Sequence, residues 1–149
     1  MANLLYNKEG PWGGESECVW TDGTYSDIKS ITVTYGDILY GIQVDYLLKS
    51  KSKVHQITAP RHGGKGSKEH TISLANKYLK GIEGKISVMD NHRIIRSLTF
   101  ITSDNKRHGP YGSELGSQSF KSSGDKMIVG FYGRAGTHLN NLGIYTLDS

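Results

Sequence analysis

The 149-residue chain has little cysteine, little proline and no long apolar run. A single cysteine, Cys18, excludes an internal disulfide and any metal site built from several thiolates. Three prolines and no biased tract exclude a collagen-like or disordered chain. No apolar run approaches the ~18 residues of a membrane helix, so we expect no membrane insertion.

The chain also lacks sequence signals for targeting, catalysis and metal binding. No charged head followed by an apolar stretch opens it, so no signal peptide is visible, and we expect a cytoplasmic protein, or a secreted one if this is a mature chain. The six histidines form no His-x-His or His-x-x-x-His pair, and Gly-x-Ser-x-Gly is missing. Residues 63–68 lack the spacing of a phosphate-binding loop. We therefore expect no metal and no cofactor.

The net charge of +4 is mildly basic, which makes nucleic acid an unlikely partner. The positive residues concentrate in one stretch. They are Lys49, Lys51, Lys53, Arg61, Lys65 and Lys68. Alternating lysines on a strand usually form a solvated face that protects a sheet edge. The alternative is a surface for sulfated glycans or another anionic partner.

Apolar and polar residues alternate with a period of two, as in 31–35, 42–46 and 127–131. Such alternation is typical of strands with one buried face and one solvated face. Glycine makes up about 13% of the chain, against a usual share of about 7%, and clusters with Asp, Asn and Ser between the alternating runs. The sequence predicts an antiparallel all-β domain over residues 1–149, with roughly ten to twelve strands.

Two kinds of loop recur along the chain. Glycine-bearing loops occur at 11–14, 61–64 and 109–112, and their last glycines are 50 and then 48 residues apart. A second kind interleaves with them at 36–40, 89–92 and 136–140. This spacing predicts three copies of a unit of about 50 residues, each a four-stranded sheet. Three such sheets can bury their inner faces against one another as a triangular prism.

Several stretches resemble the jacalin-related lectins in order and spacing. They are Gly10-Pro-Trp-Gly-Gly14, Arg96-Ser-Leu-Thr-Phe100 with Gly109-Pro-Tyr-Gly112, and Val129-Gly-Phe-Tyr-Gly-Arg-Ala-Gly136 with Leu142-Gly-Ile-Tyr145. The resemblance implies a β-prism I fold of three Greek-key sheets and carbohydrate binding without catalysis. The galactose type of this family depends on a cleavage before the first loop. No processing point is evident between Met1 and Gly14, which favours the uncut mannose/glucose type.

The resemblance implies a first sugar site between the first glycine-rich loop and the last turn. The matching residues are Gly13, Gly14, Gly136, Thr137, His138, Leu139 and Asn140. Where the family pattern Gly-x-x-x-Asp has its carboxylate, this chain has Asn140. An amide still offers one acceptor and two donors but no charge assistance, so we expect weaker or differently specific binding. The alternative for Asn140 is a plain turn residue.

A second site is implied on the next pair of loops. Its residues are Gly36, Asp37, Ile38, Leu39, Tyr40, Gly63 and Gly64. Tyr40 replaces the acid at the fifth position, where its ring can stack on a sugar, donate its hydroxyl or fill the pocket. Asp37 supplies a carboxylate to the sugar, or belongs only to a hairpin turn.

The third site matches most loosely because its leading glycine is missing. Its residues are Asp90, Asn91, His92, Tyr111 and Gly112. A plain hairpin turn is the favoured alternative for Asp90 and Asn91.

The expected partners are glycans or glycoproteins, bound by a homo-oligomer, a dimer or tetramer, in which several shallow sites act together. Cys18 is either a small buried residue or part of an interchain disulfide. A second function remains open at this point: an interaction or surface-adsorbing prism that uses the lysine-rich stretch.

Overall fold

The computed structural model describes residues 5–16, 18–115 and 118–148, and every regular element in them is a strand. No helix forms in these ranges, so none there is long and apolar enough to cross a bilayer. The strands are β1 (Leu5–Gly13), β2 (Val19–Thr21), β3 (Asp27–Tyr35), β4 (Leu39–Ser50), β5 (Lys53–Thr58), β6 (His62–Gly63), β7 (Lys68–Ser73), β8 (Leu79–Met89), β9 (His92–Thr102), β10 (Arg107–Gly112), β11 (Gln118–Lys121), β12 (Met127–Ala135) and β13 (Leu139–Asp148).

The strands form three antiparallel sheets, which confirms the predicted prism. Their orders are β1-β13-β12-β2, β5-β4-β3-β7 and β10-β9-β8-β11. The short β6 also pairs with β4, end to end with β5, so this sheet is four strands wide as well. The described residues contain thirteen strands rather than the ten to twelve expected. The extra one arises because the edge is interrupted near Pro60, which has no N–H to give to the ladder.

The alternation along the strands places the core between the three sheets. In β3, Ile31 and Val33 are fully buried, while Thr32 faces outward and shares a hydrogen bond with Thr71 across the sheet. Equivalent apolar positions of the other sheets, such as Phe100 and Phe131, join the same cluster. Burying these faces supplies most of the driving force for folding, at roughly 25 cal/mol per Å² of apolar surface.

The pseudo-threefold repeat is clearest at one end of the prism, which we call the loop end. There the glycine loops pair with the middle strands through Gly13 to Asn141, Gly63 to Gly41 and Gly112 to Ser97. All three loop glycines have positive φ, at +124°, +95° and +99° in chain order. A residue with a Cβ adopts such angles at a cost, which explains the recurring glycine.

One hairpin breaks the repeat. The β3–β4 and β12–β13 hairpins turn directly after the pairs Tyr35–Leu39 and Ala135–Leu139. The β8–β9 hairpin instead continues beyond Ile86–Ile95 to its last pair, Met89–His92. The third sheet therefore carries a longer arm at the loop end than the other two.

Candidate functional site

The β12–β13 turn and the β3–β4 turn have the same hydrogen-bond geometry. The Gly136 N–H donates to the His138 carbonyl at 3.0 Å, and the Gly36 N–H donates to the Ile38 carbonyl at 3.0 Å. No described residue accepts a hydrogen bond from the N–H of Thr137 or His138. Each turn thus uses its first amide internally, and the first-site turn leaves two adjacent amides for another acceptor.

In each glycine loop beside these turns, one glycine has both its backbone N–H and its backbone carbonyl hydrogen-bonded within the protein. The Gly14 N–H donates to the Asn140 carbonyl at 2.9 Å, and the Asn141 side-chain amide donates to the Gly14 carbonyl at 2.6 Å. Likewise, Gly64 donates to the Tyr40 carbonyl at 2.9 Å and accepts from the Thr34 hydroxyl at 2.7 Å. These loops are rigid walls, and the polar groups of Gly14 and Gly64 are occupied within the protein.

The missing side chains of the loop glycines make room for protein rather than for a ligand. A Cβ on Gly14 would overlap the carbonyl of Arg93 in the β8–β9 arm, and a Cβ on Gly64 would overlap the carbonyl of Thr137. Gly136 is different, because a Cβ there meets no atom of the described residues within 4 Å. Space at the loop end therefore lies beside Gly136.

Of the residues predicted for the first site, the structure leaves Gly136 and Thr137 exposed and His138 half-buried. Asn140 is 7% exposed, and no described residue hydrogen-bonds to its side-chain amide. The side chain of Leu139 is fully buried in the core, so this residue can offer a ligand only its backbone. The predicted first site thus combines a turn, an amide side chain without a partner among the described residues, and a glycine wall.

The tip of the β8–β9 arm lies near this site. Burial lowers the pKa of His138, His92 on the arm lowers it further, and Asp90 on the arm opposes the shift. The sequence instead predicts a separate third site for Asp90 and His92. The sequence does hold a sign that this third turn departs from the repeat, because Met89 follows Gly36 by 53 residues rather than by the repeat length of 50.

Three residues predicted for the second site, Gly36, Asp37 and Tyr40, line a cleft of about 390 Å³, which we call the site-2 cleft. It is lined by Gly36, Asp37, Tyr40, Lys65, Gly66, Ser67 and Lys68. The other four, residues 65–68, were not predicted for this site, although they directly follow Gly64 in the sequence. The side chains of Ile38 and Leu39, which were predicted as part of the second site, are buried, so these residues can offer a ligand only their backbone.

The structure does not assemble the third site as predicted. Asp90 and Asn91 have φ of +52° and +67°, as in a two-residue hairpin turn at the arm's tip. Tyr111 is 8% exposed and packs against Tyr35 and Phe100, so it belongs to the core. Burial accordingly raises the pKa of its hydroxyl.

Arg96 occupies the place of Asn140 and Tyr40 in the third sheet. It precedes Ser97, the partner of Gly112, as Asn140 precedes Asn141 and Tyr40 precedes Gly41. Sequence reasoning missed it because the arm shifts the third turn away from the repeat.

The lysine-rich stretch does not form one face. Lys51 and Lys53 lie at the β4–β5 turn, whereas Lys65 and Lys68 lie at the loop end. The twelve residues of β4 separate the two groups by about 35 Å. Lys49 is 3.9 Å from the Asp27 carboxylate. This separation argues against a single anion-binding surface.

Cys18 is exposed, which excludes the buried alternative. The predicted interchain disulfide stays a prediction.

Residues 9–145 match the family described as the jacalin-like lectin domain. The chain belongs to the jacalin-like lectin family. It is 33% identical over 144 residues to jacalin-related lectin 3 of Arabidopsis thaliana, which covers 91% of this chain. It spans about a quarter to a half of the length of the first curated relatives that it matches.

Solved structures of this family superpose on the whole prism. A mannose-binding lectin from Champedak is 30% identical with a TM-score of 0.85, covering 98% of this chain and 99% of that one. A mannose-specific jacalin-related lectin from Morus nigra, in complex with mannose, is 32% identical with a TM-score of 0.83. The superposition covers 98% of this chain and 96% of that one. These likenesses establish the β-prism I fold and the lectin family.

Proposed function

We propose that this jacalin-like lectin binds mannose- and glucose-type glycans without catalysis, with the β12–β13 turn as its principal site. The observation that carries the proposal is the open space at Gly136 beside two backbone amides and the Asn140 side chain, none of which has a hydrogen-bond partner in the described part of the chain. Relatives of similar fold that are known as mannose-binding or mannose-specific lectins support the choice of sugar.

The chemistry of the site suits a neutral, hydroxyl-rich ring. The amides of Thr137 and His138 donate to sugar oxygens, and Asn140 both donates and accepts. Because these groups are fixed by the turn and by the glycine wall, little entropy is lost in ordering them. An amide in place of a carboxylate gives hydrogen bonds of about 1 kcal/mol rather than roughly 1.5–3. We therefore infer weak binding at a single site.

The site-2 cleft supplies a second binding position, with the Asp37 carboxylate as acceptor. Two shallow sites on each chain make avidity the means of tight binding to branched glycans. A homo-oligomer, a dimer or tetramer, multiplies this effect, and the exposed Cys18 offers one means of linking two chains. Glycans and glycoproteins are the proposed partners.

Calorimetric titration with methyl α-mannoside tests the proposal through Gly136→Val. A side chain at Gly136 enters empty space without a left-handed φ, so the fold is retained while the sugar's place is filled. The matched control is Ala75→Val, in an exposed turn at the other end of the prism. We expect binding by the wild type and the control, and loss of the site in Gly136→Val. Wild-type protein that binds no glycan on an array would overturn the proposal.

A further inference from the structure

The site-2 cleft differs from the first site in its charged groups. Lys65 and Lys68 line it together with Asp37, which is the only acid among its lining residues. The residues assigned to the first site include no lysine or arginine, and the acid Asp90 lies near its histidine. One chain therefore presents a neutral site and a net positive site at the same end.

The loop that carries the two lysines is fixed in place. A Cβ on Gly66 would overlap the backbone of Tyr35, so the loop lies directly against the end of β3. Lys68 begins β7 and pairs with Tyr35 in the ladder. The hydroxyl of Ser67 lies 3.3 Å from where a Cβ on Gly36 would be. Both lysine backbones are thus held beside the turn that bears Asp37.

The two ammonium groups are available to a ligand. Lys65 and Lys68 are exposed, and neither forms an ion pair with any residue in the described part of the chain. Asp37 is exposed at the turn, where its carboxylate can accept from ring hydroxyls. The ring of Tyr40, 3.5 Å from the Gly36 Cβ position, offers an apolar face.

We propose that the site-2 cleft selects hexoses that carry an anionic substituent, a phosphate, a sulfate or a carboxylate, while the first site takes the neutral sugar. This inference rests on the proposed lectin function. Asp37 and Tyr40 hold the ring, and Lys65 and Lys68 bind the anionic group as point charges. The acid of the cleft disfavours a bare anion, so recognition requires both parts of the ligand.

The test compares mannose 6-phosphate, glucuronic acid, methyl α-mannoside and inorganic phosphate by calorimetry. Because Lys65 and Lys68 would each form a surface ion pair with the phosphate, we expect mannose 6-phosphate to bind about fivefold more tightly than methyl α-mannoside at low salt. High salt should remove this preference. The double variant Lys65→Gln/Lys68→Gln should lose the preference. The matched control, Lys51→Gln/Lys53→Gln, removes the same charge from the far end of the sheet and should keep the preference for mannose 6-phosphate. The glucuronic acid arm shows whether a carboxylate suffices.

The outcomes separate this inference from the proposed function. Equal binding of neutral and phosphorylated mannose overturns the inference and leaves the lectin function standing. Inorganic phosphate that binds as tightly as the phosphosugar overturns it too, because the cleft is then a simple anion site. If both double variants lose the preference for the phosphosugar, the preference arises from the net charge of the chain and not from the cleft, and the inference is overturned. Failure to bind any of the sugars overturns the proposed function together with it.

Discussion

The imidazole of His62 lies 2.6 Å from the carboxylate of Asp22. Asp22 directly follows β2 of one sheet, whereas His62 lies in β6 of another. The Asp22 side chain is only 1% exposed and also accepts a hydrogen bond of 2.6 Å from the Tyr46 hydroxyl. Trp20 stacks on the imidazole with the ring centroids 3.7 Å apart. Because His62 directly precedes Gly63, this buried group anchors the glycine loop between the two proposed sugar sites.

We expect Asp22→Ala to reduce the free energy of unfolding by about 3 kcal/mol, since it leaves the donors of His62 and Tyr46 without a buried acceptor. Urea unfolding followed by fluorescence measures the change. Asp125→Ala is the matched control, because that carboxylate is 88% exposed and pairs with Lys80 at the surface. Similar losses in the two variants would show that Asp22 has no special structural role.

The same cluster predicts an alkaline loss of stability. Burial, reinforced by the Asp22 carboxylate, raises the pKa of Tyr46 above its ordinary value near 10. Above that pH the unfolded chain releases the proton while the folded chain keeps it, so stability falls as pH rises. Urea midpoints measured from pH 8 to pH 11 should decline less steeply in Tyr46→Phe than in the wild type. Tyr78→Phe, at a more exposed tyrosine, should follow the wild type; a wild-type slope in Tyr46→Phe contradicts the assignment.

The fold was predictable because its cause is local and repeated. Ile31, Thr32 and Val33 alternate as a strand with one buried face must, and the spacing of Gly14 and Gly64 reveals two of the three units. The first-site turn was predictable for the same reason. The contacts that link one sheet to its neighbours follow no such alternation or repeat, because they join residues that lie far apart in the sequence.

The features of the candidate site that escaped prediction depend on such distant contacts. The lack of a side chain at Gly14 makes room for the carbonyl of Arg93 from another sheet, a contact that no local pattern shows. Tyr111 looked like a candidate contact, but its ring lies in the core. Lys65 joins the site-2 cleft only because Gly66 lets the loop fold against Tyr35.

The half-buried His138 predicts that mannose affinity depends on pH. Its pKa is lowered by burial and by His92, against the effect of Asp90, so the ring is neutral above its ordinary value near 6.5. A sugar covering the ring favours the neutral form further, so affinity should be constant at pH 7–8 and should fall as the pH drops and the ring is protonated. Folding stability should also fall as the pH drops, because the unfolded chain binds the proton first.

Calorimetric titrations between pH 5 and pH 8 should give a flatter profile for His138→Gln, while His55→Gln, on the exposed β5 edge, keeps the wild-type profile. An unchanged profile in His138→Gln would show that another group titrates.

Two neighbouring asparagines give opposite predictions for one and the same substitution. Asn140→Asp adds a charged acceptor at a side chain to which no described residue hydrogen-bonds, which should tighten methyl α-mannoside binding by about tenfold. Asn141→Asp instead places a carboxylate against the carbonyl of Gly14, to which the amide now donates, and should weaken both the glycine wall and sugar binding. Titration calorimetry gives the affinities, and thermal unfolding shows whether the wall is retained. If both variants leave binding unchanged, the β12–β13 turn holds no sugar, because a charge at position 140 changes the strength of any hydrogen bond that the ligand makes there.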